Sequence, residues 1–467
     1  MIPSQTFSAV KTSRRVSRGV LAVCLGLACG VLPPAAVDAR TRPPKLEYTH
    51  TVLPNGLTVV LHEDHSTPIV HLQLWYHVGS KDEKPGRTGF AHLFEHMMFQ
   101  GSQNVSRDSH GSMIASVGGE SNAYTTEDAT VFWETVPAQY LPLILWLEAD
   151  RMATLDVDED NFVRERSVVK EERRQRVENQ PYGRLAELVY QNAFKVHPYR
   201  YQVIGSMADL DAASISDVRE FHQTYYVPEN AVLVLAGDFD PKETLAMIDQ
   251  YLGRVPKAAK PIKRDIAQEP PQKKEQRVTV EDAVPLTAVV VAYHITYDGH
   301  PDSYPLHIAS KVLSDGQSSR IYSSLVYQKR LALAAFGQGN IIEDPNLFFS
   351  TAIVQPGQTP DAVEKALIAE MDRLVKEPIS EHELERTKNQ FARDYILGRQ
   401  TVQDKANALG HAFVLHKRDL STADGEYDIF MNLKAADVQR VAKTYFTAEN
   451  RLVMHITPRG GATQGAK

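Results

Sequence analysis

The chain has 467 residues, 43% hydrophobic and 23% charged, with a formal net charge of −7. That length exceeds one ordinary hydrophobic core, so two domains are expected. The composition is that of a globular chain, and its mild acidity speaks against a nucleic-acid binder, which would carry a basic face.

The first segment reads as an export signal. Lys11, Arg14, Arg15 and Arg18 precede an apolar run from Gly19 to Leu32, and Val37-Asp38-Ala39 offers small residues for cleavage before Arg40. The run is too short for a membrane span. Removing residues 1–39 takes away four positive charges and one negative, leaving about −10. Both cysteines, Cys24 and Cys29, fall in this segment, so the mature chain is expected to have no disulfide and no thiolate ligand. A lipoprotein anchor at either cysteine fits its flanks poorly. Arg14-Arg15 leaves twin-arginine export open beside the general secretory route. Export of a cysteine-free chain suits a bacterial periplasm.

Next come two strand patterns, Leu57 to Leu61 and Val70 to Tyr76, and then a helical run from Phe90 to Phe99. A further β-rich stretch, Thr130 to Val136, precedes helical runs at Tyr140 to Met152 and Asn161 to Glu178. Pro256 to Arg277, rich in Lys, Pro and Gln, reads as a linker. Beyond it, Ala362 to Lys376 and Glu381 to Leu397 are helical, and 459–467 reads as a disordered tail. Strands followed by helices imply an α+β fold, a mixed and mainly antiparallel sheet with helices on one face.

That unit is expected twice. Thr224-Tyr225-Tyr226, Glu229-Asn230 and the apolar run after them recur as Thr444-Tyr445-Phe446, Glu449-Asn450 and the run after those. Asp150-Arg151-Met152 likewise recurs as Asp372-Arg373-Leu374. The expected limits are 40–255 and 278–458, two homologous domains.

The Phe90 to Phe99 run carries His92 and His96 one helical turn apart, on one face. Two imidazoles so spaced suit one zinc ion. Glu95 reaches the same side as a carboxylate placed to take a proton from water at the metal. Zinc still needs a third ligand. In the Asn161 to Glu178 run, positions 162, 165, 169 and 172 share an inward face, so Glu172 rather than Glu171 is the candidate ligand. Glu165, two turns earlier, would hold a histidine ring or assist catalysis.

With these residues, His92-Leu93-Phe94-Glu95-His96 and Glu172 seven after Glu165, the chain resembles the inverzincin metallopeptidases: pitrilysin, insulin-degrading enzyme and the mitochondrial processing peptidase. Leu53-Pro54-Asn55-Gly56-Leu57, Gly118-Gly119, His197-Pro198-Tyr199 and Tyr226-Val227-Pro228-Glu229-Asn230 extend the resemblance over most of the chain. It implies one Zn²⁺ at His92, His96 and Glu172, Glu95 as general base, and hydrolysis of extended or unstructured peptides. It also implies that Asn122, Ala123 and Tyr124 lie on an edge strand to which substrate adds through main-chain hydrogen bonds.

The second half departs from the pattern. His307-Ile308-Ala309-Ser310-Lys311 stands where the zinc motif would fall, and Thr387 and Asp394 replace Glu165 and Glu172. Relatives supply a substrate-gripping Arg and Tyr seven apart; here Val326 and Leu333 hold those places, and Arg320 and Tyr327 are displaced from them. The resemblance therefore implies a heterodimer with a related subunit carrying that pair, with a homodimer as runner-up. A non-catalytic structural or peptide-binding subunit of the same fold is the rival reading.

Overall fold

A computed structural model describes residues 43–460. The export signal expected at 1–39, with its cleavage point, and the tail beyond Gly460 lie outside the described residues.

The first half builds one six-stranded sheet from β1 (Thr49–Val52), β2 (Thr58–Glu63), β3 (Ile69–Tyr76), β4 (Glu120–Thr125), β5 (Thr130–Pro137) and β6 (Ala231–Gly237). Its order is β1-β2-β6-β3-β5-β4, with β2 parallel to β6 and every other pair antiparallel. The second half repeats the plan with β7 (Gln276–Asp282), β8 (Ala288–His294), β9 (Ala332–Gly339), β10 (Leu347–Val354) and β11 (Arg451–Pro458). The order β7-β11-β8-β10-β9, with its β7–β11 pair parallel, matches the order β2-β6-β3-β5-β4 with its parallel β2–β6 pair. The repeated asparagines explain part of the internal repeat. Asn230 Nδ2 donates to Tyr225 O at 2.8 Å and His77 O at 3.2 Å, and Asn450 Nδ2 donates to Tyr445 O at 2.7 Å and His294 O at 2.8 Å. Each amide ties the end of a helix to the C-terminal end of a central strand, just past β3 in the first half and at the last residue of β8 in the second.

Helices cover one face of each sheet, as the α+β pattern requires. The opposite faces are not left to water. Every residue of β6, Ala-Val-Leu-Val-Leu-Ala-Gly, is buried. Leu233 and Leu235 face the helices of the first half, while Val232, Val234 and Ala236 meet Leu409, Ala412 and Phe413 of the Val402–Leu415 helix from the second half. The exchange is reciprocal: the Leu185–Ala193 helix lends Leu188 and Val189 to the outer face of the second sheet, against Val290, Ala292 and Met454. A strand buried on both faces reads as a continuous apolar run rather than an alternating one.

No helix or strand occurs between Val255 and Gln276. The segment is nevertheless anchored. Arg264 donates to Asp82 at 3.1 Å and to Asn230 at 2.9 Å, and Glu269 accepts the backbone N–H groups of Lys195, Val196 and His197 at 2.9–3.0 Å. Among the described residues no helix is long and apolar enough to cross a membrane.

Candidate metal centre

The histidine-bearing helix is Phe90–Met97. Its start is set by Gly89, whose φ of +91° suits glycine and whose Cβ, if added, would come within 2.9 Å of Ile204 O. Gly89 offers no capping side chain. Glu83 does the work from outside, accepting the N–H of Gly89 at 2.9 Å and of Ala91 at 2.8 Å. A carboxylate at this end also meets the positive pole of the helix. Phe90, Ala91, Leu93, Phe94 and Met97 are buried, which leaves His92, Glu95 and His96 on the face turned away from the core.

The opposing wall is the helix Glu159–Arg173, begun by Asp158, whose side chain accepts Asn161 N–H at 2.7 Å. The helical hydrogen bonding then widens through Arg174–Glu178, where Asn179 N–H reaches back five residues to Arg174 O. Phe162, Glu165 and Val169 are buried. Glu172 faces the histidines, while Glu171 points outward to Arg174 and Gln175.

His92, His96 and Glu172 come together with ligand atoms all within 4.8 Å. Glu172 Oε2 stands 3.6 Å from His92 Nε2 and 3.4 Å from His96 Nε2. A tetrahedral zinc with bonds of about 2.0–2.1 Å holds its ligand atoms about 3.3–3.4 Å apart, so the two histidine–carboxylate separations are already close to what such an ion requires. Behind the ring of His96, Glu165 Oε2 lies 3.4 Å from Nδ1, where a carboxylate fixes a ligand's tautomer. His92 Nδ1 is buried without a hydrogen-bond partner. Burial, reinforced by His96, pushes the His92 imidazole down to about 4, so it is neutral near pH 7, the state that ligates metals. Burial acts on His96 in the same direction, but Glu165 and Glu172 outweigh it and hold that imidazole above its usual value.

Glu95 lies beside the three. Burial raises its carboxyl above the ordinary range, against a 2.5 Å hydrogen bond from Thr125 Oγ1, and a general base for neutral pH needs a shift of that direction. Thr125 ends β4, the outermost strand of its sheet, whose one strand partner is β5. Asn122 is exposed, with Oδ1 accepting the N–H of Ala123. Tyr124 OH donates to Asn407 of the Val402–Leu415 helix at 3.1 Å. These groups line one open cavity of about 630 Å³. Sequence reasoning missed Glu83, Thr125 as the partner of Glu95, and Arg176, which pairs with Glu172 Oε1 at 2.6 Å. Arg176 follows Glu172 by one turn, a spacing that could have flagged it.

The corresponding place in the second half has different chemistry. Lys311, on the helix Ser303–Ser314, pairs with Asp394 at 3.0 Å, an ion pair where the first half sets His96 against Glu172. His307 packs edge-on against Phe430, and burial pushes it down to about 4. Arg320 is buried and committed to Glu383 through two hydrogen bonds of 2.7 and 2.9 Å, while Tyr327 is exposed and donates to Gln317.

The Insulinase (Peptidase family M16) pattern matches residues 58–206, and the Peptidase M16 inactive domain pattern matches residues 212–391. Zinc protease PqqE of Helicobacter pylori is 30% identical over 427 residues, 91% of this chain and 95% of that one. The chain belongs to peptidase family M16. This M16 chain also superimposes on the crystal structure of a protease from Helicobacter pylori with a TM-score of 0.85 at 30% identity, over 89% of this chain and all of the other. The first half of the periplasmic protease PqqL from Escherichia coli shares the fold, with a TM-score of 0.72 at 18% identity over 89% and 92% of the two chains.

Proposed function

We propose that this chain is a zinc-dependent endopeptidase that hydrolyses extended or unstructured peptides. The observation that carries the reading is the meeting of His92, His96 and Glu172, the carboxylate 3.4–3.6 Å from both imidazoles, with Glu95 beside them. One zinc ion would be held by those three side chains; bound there, it supplies Lewis acidity, polarising a peptide carbonyl and lowering the pKa of water. Glu95 takes the proton from attacking water and passes it to the leaving amine. The hydrogen bond from Thr125 fixes the carboxylate for that transfer. Glu165 orients the His96 ring and assists. The free edge of β4, at Asn122, Ala123 and Tyr124, pairs with the main chain of the substrate, so backbone is read more than side chain. The domain limits 40–255 and 278–458, joined by 256–277, belong to this reading. So do export to a bacterial periplasm and cleavage after Ala39.

The chain works in this reading with a partner. Val326 and Leu333 offer no hydrogen-bonding groups where the Arg and Tyr would stand, and Arg320 is already spent on Glu383. A related subunit supplies the missing pair, or failing that a second copy of this chain. The test is cleavage of an unstructured peptide by the purified chain, with and without chelator, and again after co-purification from its native source. Chelator-sensitive cleavage that rises with a co-purified subunit is expected. Absence of cleavage in both preparations sinks the peptidase reading, and full turnover by a monodisperse single chain sinks the partner.

A further inference from the structure

Four clusters of His, Asp and Glu side chains among the described residues bring three ligand atoms within 4.8 Å of one another. One is the site above. In a second, His110, Glu134 and Glu148, the carboxylates are answered by the buried guanidinium of Arg151. In a third, Asp361, Glu364 and His455, Arg277 pairs with Glu364 at 2.9 Å. Neither leaves a role for a cation. The fourth differs.

Asp298 lies in the loop that follows β8, with only 13% of its side chain exposed. Among the described residues no Lys or Arg pairs with it. Its Oδ2 instead faces two imidazoles, His416 Nε2 at 3.0 Å and His411 Nε2 at 3.8 Å. These distances bracket the roughly 3.3 Å separation of ligand atoms around tetrahedral zinc. The other carboxylate oxygen, Oδ1, accepts Gly299 N–H at 2.9 Å, which sets its orientation. His416 is buried, with Nε2 at ion-pair distance from Asp298 and Nδ1 without a hydrogen-bond partner.

We propose that Asp298, His411 and His416 form a second metal site that binds a divalent transition-metal ion, zinc foremost. Imidazole nitrogens select such ions over Mg²⁺ and Ca²⁺, which take oxygen ligands. The placement gives the ion a task. Asp298 lies in the loop that leaves β8 of the second sheet, whereas His411 and His416 sit towards the end of the Val402–Leu415 helix that covers the sheet of the first half. An ion there pins that helix to the loop after β8. On the same helix Asn407 Oδ1 accepts the hydroxyl of Tyr124 on β4, so the clamp supports the strand proposed to receive substrate.

The test is titration of metal-stripped protein with Zn²⁺ alone, read by calorimetry at pH 7, beside thermal unfolding. The wild type is expected to bind two equivalents. The His92→Ala/His96→Ala variant should retain one, and Zn²⁺ should raise its Tm. His411→Ala should lose one equivalent; His411 is half-exposed on a helix, so alanine is tolerated. The triple variant should bind none. The proposal is overturned if His92→Ala/His96→Ala binds none, or if folded His411→Ala still binds two. The first of these titrations leaves the new site intact, so it decides the matter even if His411→Ala fails to fold. A single equivalent that survives His92→Ala/His96→Ala but not His411→Ala would uphold this site while sinking the peptidase centre.

Discussion

Gly410→Ala tests how the two halves interlock. Gly410 lies in the middle of the Val402–Leu415 helix, and a Cβ there would stand 2.2 Å from Trp75 Nε1 and 2.3 Å from Cε2. Ordinary contact needs more than an ångström beyond that. Trp75 has little freedom to move. It is buried, its Nε1–H donates to Gln73 Oε1 at 2.7 Å, and its ring meets Tyr124 edge-on at a centroid distance of 6.1 Å. On an open helix face the substitution would gain about 1 kcal/mol in propensity. Here overpacking of a filled site costs about 1–3 kcal/mol, and the severity of the overlap places the net at a destabilisation of about 1–2 kcal/mol. Urea unfolding, followed by circular dichroism and tryptophan fluorescence, should show a lower midpoint with an unchanged slope. Because Trp75 supports Tyr124 on β4, KM for a peptide should rise as well. A midpoint equal to or above that of the wild type would refute the close approach of this helix to the first sheet.

Three further outcomes are expected. Glu83→Ala leaves the N–H groups of Gly89 and Ala91 without their acceptor in a buried place, at a cost of about 1–3 kcal/mol for each donor left unsatisfied; calorimetry should also show weaker zinc binding, because the histidine helix loses its clamp. Arg320 holds the Glu383 carboxyl down at about 2. A depressed acid contributes stability above its unfolded value, and that contribution disappears as pH falls through the folded value. Acid unfolding between roughly pH 4.5 and 2 should therefore be less steep in Arg320→Met, by about 1–2 kcal/mol after discounting for partial exposure. Thr125→Val should lower kcat and leave zinc content unchanged, since it frees the Glu95 carboxylate without touching a ligand; an unchanged kcat would separate Thr125 from the reaction.

Local pattern carried much of the first half and of the site. The stripe 162, 165, 169 and 172 is a property of one helix, so it selected Glu172 over Glu171 from spacing alone, and the structure turns Glu172 toward the histidines and Glu171 away. Glu381 to Leu397 is bounded in the sequence where the structure bounds it, because Ser380 and Glu383 form a capping box there. What the sequence concealed is non-local. Val402–Leu415 is not among the helical runs read from the sequence, and nothing in its periodicity says that its apolar side meets β6 of the other half. Glu83 precedes the helix it caps by seven residues, outside the usual capping positions. Asp298 lies more than a hundred residues from His411 and His416, so their meeting depends on the reciprocal exchange of helices. The linker pattern at 256–277 likewise gave no sign that Glu269 and Arg264 would fasten it down.

The central claim is that His92, His96 and Glu172 hold zinc while Glu95 moves the proton. Zinc content and peptide turnover of Glu95→Gln, measured on one preparation beside the wild type, test it most directly. Glutamine keeps the shape of the side chain but accepts no proton. The account predicts zinc content equal to the wild type and a loss of kcat of at least about 100-fold, the lower end for removing a general base. Wild-type turnover by a zinc-loaded Glu95→Gln protein would contradict it.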